Sequence, residues 1–326
     1  MPRNLLSAVI MAASVSLLAS HSQAMNILLS NDDGLTANVK ALQSALQAAG
    51  HNVIVSVPCQ NQSGKGASLN FLTPILPLSK ACVGNAAAAG AAGVGAIAGI
   101  SNAHYVDGTP IMALMYGLDI LAPAQWGAAP DLVISGPNEG QNIGSIVISS
   151  GTVSNAQYAL TRGIAAIAVS ADVNTTKNDL LAAEVAALTV KLVDKLDARA
   201  GKHGLLPRGM ALNVNYPVFN AGDSEQLNWK ITRFGNFDYL NTRFVTDLGA
   251  DPGAAAYGLG NVHFPGVVVS TNSVDSATTK TDKNSEALQN LKGHITVTPM
   301  QFGYEVAPAE GAIVGIYLQH ALRKQK

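Results

Sequence analysis

The stretch Asn26–Gly34, which reads Asn-Ile-Leu-Leu-Ser-Asn-Asp-Asp-Gly, constrains this chain more than any other. Ile27, Leu28 and Leu29 form a short unbroken apolar run of the kind that makes a strand buried on both faces. The run ends in two adjacent carboxylates, Asp32 and Asp33, and then in Gly34, which permits a sharp turn. In open α/β sheets, ligands bind just beyond the carboxyl ends of the strands, where these aspartates would fall. Two like charges side by side repel, and a bound cation relieves the repulsion. The same residues also suit an Asp-Gly turn leading into a capped helix, so both readings stand at this point.

The segments that follow keep the strand–helix alternation. Val39, Leu42 and Leu46 recur at helical spacing up to Gly50, and Asn52-Val53-Ile54-Val55 reads as a second strand. His104-Tyr105-Val106 leads through the turn Gly108-Thr109-Pro110 into an apolar helix expected over 111–121. Asp131–Ser135 reads as a strand, 136–151 as a Gly/Asn-rich loop, and a helix is expected from Thr152. Further strands are expected at 164–170 and 210–215, with a long helix over 179–196 between them. Such alternation predicts a three-layer α/β fold around a mostly parallel, Rossmann-like sheet. The Ala/Gly-rich stretch 84–99 contains no G-x-G-x-x-G and reads as a surface excursion.

Beyond Pro217 the character changes. Asn228–Arg233 alternates like a strand, but 218–293 as a whole reads as a loop and hairpin arm. His294–Thr298 alternates once more and stops at Pro299, and residues 300–326 are expected to close the chain as a helix.

Residues 1–24 have the marks of an export signal: Arg3 as a positive start, an apolar core over 5–18, and Ser22-Gln23-Ala24 as a cleavage site. The expectation is a periplasmic or secreted protein formed by residues 25–326, with no membrane association after cleavage. With 13% charged residues and a net charge of −1, the chain offers no basic stripe for a nucleic-acid duplex. With 5% aromatics, it offers little platform for stacked bases. The two cysteines, Cys59 and Cys82, suit either a single bridge in an oxidising compartment or two buried free thiols. The seven histidines form no pair at ligand spacing.

Three further loops carry chemistry. Gln62-Ser63-Gly64 follows the second strand; Ser135–Gly144, with Asn138 and Asn142, follows another; Ser150-Gly151-Thr152 opens a helix. A helix start offers free N–H groups and a positive dipole end to an anion such as phosphate, although Ser150 and Thr152 serve equally well as simple caps. All four loops fall on one edge of one sheet.

Together these motifs resemble the SurE family of survival-protein nucleotidases and phosphatases. The resemblance rests on Ile27–Gly34, Asn61-Gln62-Ser63-Gly64, Gly108-Thr109-Pro110, Ser135-Gly136-Pro137-Asn138 with Asn142-Ile143-Gly144, and Ser150-Gly151-Thr152-Val153. Weaker echoes lie at Leu212–Pro217 and Ile295–Pro299. It implies one divalent cation held by Asp32, Asp33, Ser63 and Asn138, with Asp32 and Asp33 also catalytic and with Asn142, Ser150 and Thr152 on the substrate phosphate. An all-oxygen ligand set suits Mg²⁺ or Mn²⁺. The implied reaction is hydrolysis of phosphomonoesters, typically nucleoside 5′- or 3′-monophosphates, by a homodimer or homotetramer assembled through the C-terminal arm. Departures from the family pattern are Ser149 in place of a tyrosine, Ile111-Met112 in place of Asp-Cys, Glu139 in place of a small residue, and the additional Lys65. A phosphate contact by Lys65 and a solvated loop lysine are both open. The competing functions are a sugar-nucleotide-dependent glycosyltransferase lobe and a non-catalytic periplasmic binding protein.

Overall fold

The computed structural model describes residues 24–201, 204–272 and 282–303, together with 312, 313 and 316. The expected export segment, apart from Ala24, and most of the expected C-terminal helix lie outside these residues. The chain runs through β1 (Asn26–Ser30), α1 (Ala37–Ala48), β2 (Asn52–Pro58), β3 (Val94–Ala96), β4 (Ala103–Val106), α2 (Pro110–Tyr116) and α3 (Ala122–Trp126). It continues through β5 (Leu132–Glu139), α4 (Gly151–Thr161), β6 (Ala165–Ala171), α5 (Asp179–Asp197) and β7 (Met210–Asn215). Then come β8 (Asn228–Ile231), β9 (Leu240–Val245), the single turn α6 (Pro252–Ala254), β10 (Gly266–Thr271), α7 (Glu286–Leu291) and β11 (His294–Gln301).

Nine of these strands form one sheet in the order β3-β4-β2-β1-β5-β6-β7-β11-β8. The central run from β4 to β7 is parallel, and β3 and β11 join it antiparallel. Alternating side chains of β1 face opposite ways: Ile27 and Leu29 pack into the core shared with α1 and α5, Leu28 into the core shared with α4. Val39, Leu42 and Leu46 of α1 are fully buried, and the Thr36 side chain caps that helix by accepting from the Val39 N–H. The result is the expected three-layer α/β sandwich.

The connection from β1 to β2 moves one way across the sheet, while β5 lies on the other side of β1. The strand order therefore reverses between β1 and β5, and outside their carboxyl ends is the position at which open α/β sheets form a ligand crevice. Asp32 and Asp33 leave β1 at that crevice, and Asn138 sits at the end of β5.

Four segments differ from what the sequence pattern predicts. The Ala/Gly stretch supplies β3 at the sheet edge and buries Ala86 and Ile97 in the core, because small residues let a loop lie flat against the sheet. β5 does not stop at Ser135. It continues through a cis Gly136–Pro137 peptide and an irregularity in its pairing with β6 as far as Glu139. Gly136 is required there, since at φ +120 a Cβ would lie 2.0 Å from the Val169 carbonyl oxygen of β6. Pro299 does not end β11, which runs on to Gln301; β8 pairs only as far as Val297, so Pro299 faces an open edge where no N–H is needed. Within 218–293, β8 joins the main sheet and α7 is buried against it, while β9 and β10 form a separate antiparallel hairpin.

Candidate functional site

Asp32 and Asp33 are 3% and 5% exposed, so two adjacent carboxylates are held almost out of water. Their partners come from different elements. Thr152 Oγ1 donates to Asp32 Oδ1 at 2.7 Å, and the Gly151 N–H also bonds this carboxylate. The start of α4 packs against it so closely that a Cβ on Gly151 would lie 2.7 Å from the Asp32 Cβ and 2.7 Å from Pro110 Cγ. Asp33 Oδ1 accepts from Asn61 Nδ2 at 2.7 Å and from Ser63 Oγ at 3.3 Å. Its Oδ2 accepts from the Glu139 N–H at 2.8 Å.

Burial pushes both carboxyls above the ordinary aspartate range, and for Asp32 the neighbouring Asp33 charge adds to the effect. The bonds from Thr152, Gly151, Asn61, Ser63 and Glu139 pull the other way without cancelling it. Glu139, half-buried beside them, is raised by burial first and by Asp33 second. The site thus concentrates acceptor charge that the described protein groups only partly offset.

Asn138 supplies the observation that decides what fits. Its Nδ2 donates to the Gly140 carbonyl at 2.7 Å, which turns Oδ1 away, and Oδ1 is buried with no hydrogen-bond partner. A bare buried acceptor is costly unless something electropositive meets it. Two carboxylates, the Ser63 hydroxyl and this amide oxygen form an all-oxygen donor set suited to a hard divalent cation. Among the described residues no cluster of three His, Cys, Asp or Glu is available to hold a metal, so any cation here depends on the neutral oxygens as well.

The remaining expected site residues are placed differently from one another. Ser150 caps α4, its side chain accepting from the Val153 N–H, and Thr152 is engaged by Asp32. Asn142 is buried, with Nδ2 donating to Ser170 Oγ at 2.9 Å. Lys65 is exposed on the wall of a polar pocket of about 420 Å³ that also includes Gln62, Ser68 and Asp107. An apolar groove of about 380 Å³, lined by Ile111, Ile148, Val153 and Phe234, flanks the start of α4. Cys59 and Cys82 are joined by a disulfide that ties the end of β2 across the segment carrying Asn61 and Ser63.

Sequence reasoning missed Asn61 and the Glu139 N–H as partners of Asp33, and missed Asn213 and Asn215. The alternation Asn213-Val214-Asn215 places both amides on one face of β7 and was a usable signal. The family model described as Survival protein SurE matches residues 27–241. The chain belongs to the SurE family. It is 34% identical over 290 residues to the 5′-nucleotidase SurE of Gloeobacter violaceus, covering 89% of this chain and 94% of that protein. It is 30% identical over 214 residues to an acid phosphatase of Yarrowia lipolytica, covering 62% of this chain and 60% of that one. The crystal structure of the SurE protein from Aquifex aeolicus superimposes with a TM-score of 0.64 at 26% identity, covering 90% and 99% of the two chains.

Proposed function

We propose that this SurE-family chain is a divalent-metal-dependent phosphomonoesterase that hydrolyses nucleoside 5′- or 3′-monophosphates to nucleoside and phosphate. The single observation that carries the metal site is the buried, unpartnered Asn138 Oδ1, one residue before the Glu139 N–H that holds Asp33. The relatives named 5′-nucleotidase SurE support the substrate class.

Asp32, Asp33, Ser63 and Asn138 would hold the cation, with Mg²⁺ or Mn²⁺ fitting the oxygen donors. A divalent cation bound there supplies Lewis acidity toward phosphoryl oxygens and eases deprotonation of water. The protein's own part is orientation. Thr152 and the Gly151 N–H fix Asp32; Asn61, Ser63 and the Glu139 N–H fix Asp33. The α4 N-terminus carries positive dipole character into the crevice and favours a phosphate group there. The Asn142 loop and Ser150 complete the substrate side, and the apolar groove beside α4 suits the flat face of a nucleoside's base.

The export reading rests on the composition of residues 1–24, and protein recovered from its native compartment still beginning at Met1 would refute it. A homodimer or homotetramer is supported by the β9–β10 hairpin, where the paired residues Phe244 and Val267 are both exposed; a monomeric mass in solution would count against it.

The test is hydrolysis of p-nitrophenyl phosphate and of nucleoside monophosphates with Mg²⁺, Mn²⁺ or EDTA, for wild type and Asp32→Asn. Activity is expected to need the metal and to fall by at least about 10²-fold in the variant. Full activity in Asp32→Asn that EDTA does not affect would overturn the mechanism.

A further inference from the structure

Glu286 lies far along the chain from the carboxylate pair, yet its carboxylate is fully buried, and two of its three side-chain hydrogen-bond donors belong to the Asn142 loop or bridge to it. Its Oε1 accepts from the Gly144 N–H at 3.0 Å. Its Oε2 accepts from Asn213 Nδ2 at 3.1 Å and from Thr298 Oγ1 at 2.7 Å. Asn213 Nδ2 also donates to the Asn142 carbonyl at 2.8 Å, so one amide bridges Glu286 and the Asn142 backbone. Asn215 holds the same residue from beside it: its Oδ1 accepts from the Asn142 N–H at 2.8 Å, and its Nδ2 donates to the Asn142 carbonyl at 3.1 Å.

The state of Asn213 shows what the negative charge does. With its NH2 turned to two acceptors, its Oδ1 is buried without a partner. The opposite orientation would set that oxygen against both the Glu286 carboxylate and the Asn142 carbonyl. A charged acceptor at Glu286 therefore selects the orientation in which Asn213 grips Asn142. A carboxylate fully removed from water with no cationic partner among its hydrogen bonds is costly to the fold, and a purely structural need would be met more cheaply by a neutral group.

We propose that Glu286 is a positioning residue of the hydrolytic site: by fixing the Asn213 amide and the Gly144 N–H, it sets the pose of the Asn142 loop toward substrate phosphate. This rests on the hydrolase reading above. It assigns a role in the site to the C-terminal part of the chain, which reaches the Asn142 loop from α7 and β11 on the far side of β7.

Glu286→Gln replaces two acceptor oxygens by one acceptor and one donor. The new NH2 must face either the Gly144 N–H or the Asn213 and Thr298 donors, so the grip on the loop is released in either orientation. The experiment measures inhibition of p-nitrophenyl phosphate hydrolysis by inorganic phosphate in wild type, Glu286→Gln, Asn142→Ala and the double variant, together with amide hydrogen exchange of residues 140–146. Glu286→Gln is expected to raise both KM and the phosphate inhibition constant about tenfold in the wild-type background and by less than about twofold in the Asn142→Ala background. Exchange in the loop is expected to speed up while exchange in β1 is unchanged. Equal effects in both backgrounds, or a lower Tm with unchanged phosphate inhibition and loop exchange, would overturn the proposal. If Glu286→Gln does not fold, Asn213→Ala removes the bridging amide, and the same changes are expected of it; unchanged loop exchange there would overturn the proposal equally. Absence of phosphatase activity in the wild type would sink the hydrolase reading, and the exchange of residues 140–146 would still decide whether Glu286 holds the loop.

Discussion

Glu286 also makes a prediction about pH, because burying a carboxylate among neutral donors leaves a titration signature. Three hydrogen bonds, from Thr298, Gly144 and Asn213, favour the charged form, but burial outweighs them and pushes the carboxyl up to about 7 from an ordinary 4.5. The groups around it do not complicate the expectation. Asn213 and Thr298 do not ionise, the Arg233 carbonyl accepts the Glu286 N–H while the Arg233 guanidinium is turned to Asp282, and Asp238 is engaged by the Ser145 N–H. The folded state then holds a proton that the unfolded state has released between pH 4.5 and about 7, so stability falls as pH rises through this window and levels off above it. At about 1.4 kcal/mol per pKa unit the full penalty is about 3 kcal/mol, of which about 2–3 kcal/mol accrues between pH 5 and 8. Glu286→Gln removes this slope. Whatever offset the substitution brings at pH 5, the Tm difference between variant and wild type should move in the variant's favour by about 5–10 °C by pH 8, at about 2–4 °C per kcal/mol. Calorimetric scans of both proteins at pH steps, in EDTA throughout, measure this, and the other carboxylates cancel in the difference. A gap constant to within about 1 °C would refute the reasoning. So would a gap that moves the other way, which would mean that the three donors outweigh burial.

Two further outcomes follow from the site's geometry. Thr152→Val removes the 2.7 Å bond to Asp32 at nearly constant volume, and the metal concentration for half-maximal activity is expected to rise about tenfold or more; an unchanged midpoint would show that Thr152 serves only the helix. Reducing the Cys59–Cys82 disulfide is expected to cost about 2–4 kcal/mol in denaturant unfolding and to speed proteolysis within 60–81, and an unchanged unfolding midpoint after complete reduction would refute a stabilising tether.

The fold was legible in the sequence where local pattern and final environment coincide. Ile27-Leu28-Leu29 has to be covered on both faces, and Val39, Leu42 and Leu46 have to face a core; the structure places them so. Asp32 and Asp33 were legible for the same reason, since adjacent carboxylates at a strand end have few places to go. Legibility failed where the partner is distant in sequence. The pattern marks Thr152 as a cap or a phosphate contact, because nothing local shows that α4 will lie against a carboxylate 120 residues upstream. Glu286 was hidden within a polar segment that reads as a loop and hairpin arm, for burial of a charge is decided by the donors that surround it and not by its neighbours in the chain. Pro299 misled in the opposite direction, because a proline breaks a strand only where the missing N–H is needed, and the extent of β8 decides that.

The two aspartates, adjacent in the chain, are fastened by separate parts of the fold, and this bears on how the site keeps its shape. Asp32 depends on α4 through Thr152 and Gly151. Asp33 depends on the disulfide-tethered segment through Asn61 and Ser63, and on β5 through the Glu139 N–H. The Asn142 loop depends on β7 and, through Glu286, on α7 and β11. Repulsion within the pair tends to push the carboxylates apart, and each is held by neutral donors on its own side, with no shared cation of the protein's own among those bonds. Such an arrangement keeps two acceptor charges close together and leaves their joint neutralisation to a ligand. It also predicts that damage to one anchoring element should shift one carboxylate relative to the other, weakening cation binding well before the sheet itself loses stability.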